Sequence, residues 1–106
     1  MNQKTATILI INSQQNSEVD LLATIKELGH TIIEADPGRR ILDMVCASRP
    51  QIVLVGLNNA DPHWSEILSD LSGKAPAIPV ITFAENPLVE DVIQSFQMGA
   101  TDCLLP

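Results

Sequence analysis

The stretch that most constrains the fold of this 106-residue chain is Pro50-Gln51-Ile52-Val53-Leu54-Val55-Gly56-Leu57, followed by Asn58-Asn59-Ala60-Asp61-Pro62. The apolar part is too continuous for a strand with one wet face. It is also too short and too β-branched for a helix, which leaves a strand buried on both faces. Such a strand belongs in the middle of a parallel sheet with helices on both sides. In an open sheet of that kind, ligands bind and chemistry is done in the loops at the carboxyl ends of the central strands. Here that end carries Gly56, Asn58 and Asn59, with no nucleophile and no strong metal ligand.

The remaining sequence repeats the theme. Residues 6–12, Ala-Thr-Ile-Leu-Ile-Ile-Asn, form a second apolar run and read as the first strand. Ser17 is a suitable N-cap for a helix carrying Leu21, Leu22, Ile25 and Leu28, which Gly29 ends. Residues 31–35 are a short strand and Asp36-Pro37-Gly38 a turn. Ile41, Leu42, Val45 and Cys46 mark a second helix that stops before Pro50. Asp61-Pro62 starts a third helix, with Trp64, Ile67, Leu68 and Leu71 on its buried face up to Gly73. Ile78 to Phe83 is a fourth strand entered through Pro79. Asn86-Pro87 repeats the cap-and-proline signal before a helix defined by Val89, Val92, Ile93 and Phe96, and Gly99 closes it. Residues 101–105 are a fifth strand. Strict alternation of continuous apolar strands with helices predicts a doubly wound α/β domain around a parallel sheet, connected by right-handed crossovers.

One domain spans residues 1–106, and with 45% apolar residues it can bury a core without disulfide or metal. The net charge of −7 and the scattering of the six Lys and Arg speak against a nucleic-acid backbone or an anionic membrane as direct partner. Arg39 and Arg40, the one adjacent pair, read as the solvated start of a helix. The start of the chain has no signal-peptide pattern and no stretch reaches the length of a membrane span, so the expected location is cytoplasmic. Cys46 and Cys103 lack metal or redox spacing and are expected to be reduced, packed thiols.

Several segments in their order resemble the response-regulator receiver family, and the resemblance covers essentially the whole chain. They are Ile8-Leu9-Ile10-Ile11; Glu27-Leu28-Gly29-His30 followed by a strand and Ala35; Pro50 to Val55; Ile78-Pro79-Val80-Ile81; and Met98-Gly99-Ala100-Thr101-Asp102-Cys103-Leu104-Leu105-Pro106. The resemblance implies a flavodoxin-like sheet of five parallel strands in the order 2-1-3-4-5. It also implies a fifth helix after the fifth strand, where this chain stops at Pro106. The chain is therefore expected to be the N-terminal part of a longer protein, with an apolar area left open on the first-helix face.

The family's chemistry requires carboxylates after the first strand for Mg²⁺, and Asn12 and Ser13 stand there. It requires an aspartate at the end of the third strand as the phosphoryl acceptor, where this chain has Gly56. The phosphate-binding hydroxyl after the fourth strand falls at Ala84, with Thr82 two residues earlier. The switching aromatic falls at Cys103 and the phosphate-pairing lysine at Pro106. Each change removes a charge or an oxygen that phosphoryl transfer uses. Asp61, the nearest carboxylate in sequence, reads as an N-cap.

The resulting expectation is a pseudo-receiver: not an enzyme, without metal or cofactor, acting in signal transduction through a protein partner or a fused effector domain. A second copy of the chain is a further candidate partner. The alternative is a phosphoaccepting receiver of a two-component system with an atypical site. The family resemblance places the candidate interface on the fourth helix, fourth strand and fifth strand, at Leu88, Glu90, Asp91, Ser95 and Met98. A cobalamin module is disfavoured because the glycine expected three residues after His63 is Glu66, and a dinucleotide site because 12–16 contain no glycine. A thiol-phosphate carrier would need its cysteine after the first strand. His30, after a helix-ending glycine, reads as a cap residue rather than a catalyst.

Overall fold

The structure is a computed structural model that describes residues 6–11, 18–35, 40–57, 64–83 and 88–104, the side chains of 18–22 aside. Within them the chain alternates β1 (Thr7–Ile11), α1 (Glu18–Glu27), β2 (Thr31–Glu34), α2 (Ile41–Ser48), β3 (Ile52–Gly56), α3 (Trp64–Lys74), β4 (Val80–Phe83), α4 (Val89–Gln97) and β5 (Asp102–Leu104). The five strands form one sheet in the order β2-β1-β3-β4-β5, every neighbouring pair parallel. This is the flavodoxin-like, doubly wound order. The expected N-caps Ser17 and Asp61 lie outside the described residues.

The registry explains why the central strands must be apolar throughout. Leu9, Val53 and Val80 form one row, and Ile11, Val55, Thr82 and Cys103 another, both facing α2, α3 and α4. Val45, Trp64, Leu68 and Leu71 close over these rows as the main core. The opposite face carries Ile8, Ile10, Leu54 and Phe83, with Ile25 of α1 packed against them. A row running Glu34, Ile10, Leu54, Ile81, Asp102 crosses that face from edge to edge. Its two ends are carboxylates on edge strands, which discourages pairing with another sheet.

The sequence reading expects a broad apolar opening on the α1 face. Among the described sheet residues there, Leu104 alone is exposed among the apolar side chains; Ile52 and Ile81 are half-buried, and Ile8, Ile10, Leu54 and Phe83 are buried. Ile8, Ile10, Leu54 and Phe83 pack on one another there, with Ile32, Ile52 and Ile81 against them.

Helix ends follow the residues that allow them. α1 and α4 both finish in the same motif, with His30 N–H donating to Ile25 O and Ala100 N–H to Ser95 O, around Gly29 and Gly99 at positive φ. α2 ends differently, on Arg49 in the left-handed region with its N–H bonded to Val45 O. β4 starts at Val80 rather than Ile78, because Ile78 N–H turns back to Ala75 O and Pro79 has no N–H to give the ladder. α4 starts after Leu88, an extended residue that makes no side-chain cap; the expected cap Asn86 lies outside the described residues. His30 serves structure: its Nδ1 accepts the Ala6 N–H at 3.0 Å, tying the entry of β1 to that of β2.

Candidate functional site

The carboxyl ends of β1, β3 and β4 meet at one edge of the sheet. β3 ends on Gly56, which is buried and lies in register with Phe83, and Leu57 N–H donates to Phe83 O at 2.8 Å. Ile11, the last residue of β1, is 2% exposed. The described residues at these strand ends are thus Ile11, Gly56, Leu57 and Phe83, a buried apolar floor. Asn12, Ser13, Ala84 and Pro106, which the family resemblance leads one to expect at this site, lie outside the described residues, as do Asn58 and Asn59. Among the described residues no three His, Cys, Asp or Glu side chains stand together to hold a metal ion.

Cys103 faces the α2–α4 side, half-buried and in register with Thr82, and packs against the main core. Thr82 itself is fully buried, with its hydroxyl 3.4 Å from Asp102 O, so it is a core residue and not a surface ligand. The expectation of two packed thiols holds for Cys103 alone. Cys46 is exposed, because α2 turns Val45 inward and the next residue lies about 100° further round the helix. Both thiols are free.

The surface expected on α4 is rearranged. Leu88 and Glu90 are exposed and Asp91 and Met98 half-buried, but Ser95 is fully buried and cannot take part in an interface. Ser95 Oγ donates to Val92 O at 2.7 Å, so the polar group is satisfied inside the helix. Gly99 marks a close approach to α3: a Cβ there would come within 2.8 Å of Ser72 Oγ. Of the apolar residues of α4, Val92 is half-buried while three point outward. Val89 is 73% exposed, Ile93 52% and Phe96 46%. Sequence reading finds this stripe but takes it for an ordinary helix face, which in a globular protein turns to the core. The signal that distinguishes it is the lone serine among apolar neighbours at the position facing inward.

Among the described residues, two clefts lie away from the carboxyl ends of the strands. One of about 190 Å³ is at the amino ends of β4 and β5, beside Ala75 to Val80, Ser72 and Thr101. The other, about 640 Å³ and open to solvent, runs along α2 beside Ile33, with Arg40 and Asp43 on its wall.

No family model matches the chain, and no curated protein matches it in sequence. Its fold is shared by solved structures of low identity. The BeF3-activated N-terminal receiver domain of RstA from Klebsiella pneumoniae superposes with a TM-score of 0.78 at 18% identity, over 93% of this chain and 84% of that one. Chemotaxis protein CheY4 of Vibrio cholerae gives 0.77 at 16%, over 96% and 87%. NtrX from Brucella abortus, crystallised with ADP, gives 0.79 at 17%, over 96% of this chain but 23% of that much longer one. The chain has the fold of response-regulator receiver domains.

Proposed function

We propose that this chain is a phosphorylation-independent, receiver-like module that works in signal transduction by protein contact, with no catalytic activity of its own. Gly56 carries this reading. An acyl phosphate forms when a carboxylate oxygen attacks phosphorus, and the residue ending the central strand β3 has no side chain with which to attack. Nor do the neighbouring positions supply the rest of the reaction. Asn12 and Ser13 offer neutral oxygens where a hard cation favours carboxylates, Ala84 offers no hydroxyl and Pro106 no amine. Neutral groups also suit a site without a cation, since two crowded carboxylates would repel.

The partner is another protein or an effector domain fused to this one, as receiver-like folds sit within longer chains such as NtrX. We place the module in the cytoplasm; no helix of the described residues is long and apolar enough to cross a membrane. The test is incubation with acetyl phosphate and Mg²⁺ followed by intact mass, with beryllofluoride titrated against amide shifts in parallel. No phosphate adduct and no saturable shift at Gly56 are expected. A stoichiometric adduct, abolished by changing one side chain, would sink the reading in favour of a phosphoaccepting receiver with an atypical site.

A further inference from the structure

We infer that His30 is a proton-sensitive latch at the amino-terminal edge of the sheet: taking up a proton at Nδ1 releases the start of β1 from the start of β2. The inference is independent of the phosphorylation reading. β1 lies between β2 and β3, and the first two described N–H groups of the chain are each held by a side chain. Ala6 N–H donates to His30 Nδ1 at 3.0 Å, and Thr7 N–H donates to Gln51 Oε1 at 2.7 Å. Backbone bonds complete both ties, Thr31 N–H donating to Ala6 O at 2.9 Å and Gln51 N–H to Thr7 O at 2.8 Å. The two ties differ in chemistry. An amide oxygen accepts at every pH, whereas Nδ1 accepts only while the imidazole is neutral with its proton on Nε2.

A proton arriving at Nδ1 occupies the lone pair that holds Ala6 N–H, and two donors then face each other. His30 and Ala6 are half-buried, so water can deliver that proton. The charged side chains on the surrounding elements are Lys26 and Glu27 at the end of α1, Glu34 at the far end of β2 and Arg49 ahead of β3. Lys4 lies outside the described residues. Among the described residues none of these is paired with His30, so no carboxylate holds an imidazolium in place. Proton uptake therefore costs the bond, and the edge loosens as pH falls. The sign is distinctive. At a net charge of −7, mild acidification relieves self-repulsion and by itself favours the compact state.

The experiment follows the whole isotope-labelled chain from about pH 7.5 to about pH 5.5, across the ordinary imidazole range. At the alkaline end the ring nitrogens of His30 are expected to show the Nε2–H tautomer. On acidification, protection of the Ala6 amide, corrected for intrinsic exchange, should fall roughly threefold or more, the worth of one hydrogen bond. Protection of the Thr7 amide should hold. The urea midpoint should fall over the same range. His30→Asn keeps an acceptor that does not titrate and should abolish both falls, whereas His63→Gln, at the other histidine, should leave them intact. An Nδ1–H tautomer, equal loss of protection at Ala6 and Thr7, a constant or rising urea midpoint, or falls that survive His30→Asn would overturn the inference. If His30→Asn does not fold, the tautomer and the Ala6–Thr7 comparison decide the matter in the unaltered chain.

Discussion

Helices α3 and α4 lie side by side on the same face of the sheet, and each carries an apolar stripe at helical spacing, yet they use it in opposite ways. α3 turns Trp64, Leu68 and Leu71 inward, at 4%, 1% and 1% exposure. α4 turns Ser95 inward and leaves Val89, Ile93 and Phe96 outside. An amphipathic pattern therefore states that a helix has a sticky face but not what that face meets. In α3 it meets the sheet, and the apolar area removed from water stabilises the fold. In α4 the packed side is Ser95 with half-buried Val92 and, at the helix end, Met98, while Val89, Ile93 and Phe96 stay in water.

The contrast can be broken most directly by deleting apolar bulk from each stripe. Leu68→Ala or Leu71→Ala should cost about 2–5 kcal/mol, because each leaves a cavity in a packed core. Ile93→Ala should change stability by no more than about 0.5 kcal/mol, as surface substitutions do. Urea unfolding of the variants reads both. Were Ile93→Ala as costly as Leu68→Ala, the outward orientation of α4 would be wrong.

The close approach of α4 to α3 gives a somewhat smaller effect. Gly99→Ala adds a Cβ at positive φ and pushes it into Ser72, whereas Gly29→Ala meets the same kind of backbone strain with nothing within 4 Å. Strain alone is worth about 1 kcal/mol or somewhat more, and the overpacking at Gly99 roughly 1–3 kcal/mol beyond it. Adding Ser72→Gly should recover the overpacking part and leave the strain. Full recovery, or none, in thermal unfolding would contradict the geometry.

Ser95→Ala tests the inward side of α4 itself. Loss of the hydroxyl bond to Val92 O is expected to cost about 0.5–1.5 kcal/mol in chemical unfolding. A gain in stability instead would mean that the buried hydroxyl is a net burden at this contact. Smallest of all, Val89→Ser should leave the unfolding midpoint within error. Solubility at high concentration should rise, since an exposed apolar side chain is removed.

Much of the architecture is legible in the residues. Continuous runs such as Ile8 to Ile11 and Ile52 to Val55 can be satisfied only between two helical layers, and helix signals between them demand parallel strands. The strand order came from family resemblance, and the sheet has it. Boundaries were less legible where proline intervened: β4 begins at Val80, and α4 after Leu88. The missing side chain at the end of β3 is legible in the residues, because its absence at Gly56 needs no coordinates to be seen. The candidate interface was read less well. Leu88 and Glu90 are exposed, but Ser95 was placed on the wrong side of its helix. Polarity suggests solvent for a serine, but at Ser95 the hydroxyl is satisfied by Val92 O within the helix, which lets it be buried.

By itself the sequence determined the alternation of strands and helices, the burial of the central strands on both faces, and the missing side chain at the end of β3. These follow from local composition and period, which act within a few residues along the chain. The tertiary structure alone decided how α4 is rotated about its own axis, which rows of the sheet end in carboxylates, and that Cys46 is exposed while Cys103 is packed. Periodicity sets the angles between residues on a helix, but the rotation of the whole helix is set by which side can approach its neighbours. For α4 that is the side of Val92 and Ser95, and Val89, Ile93 and Phe96 are left facing out.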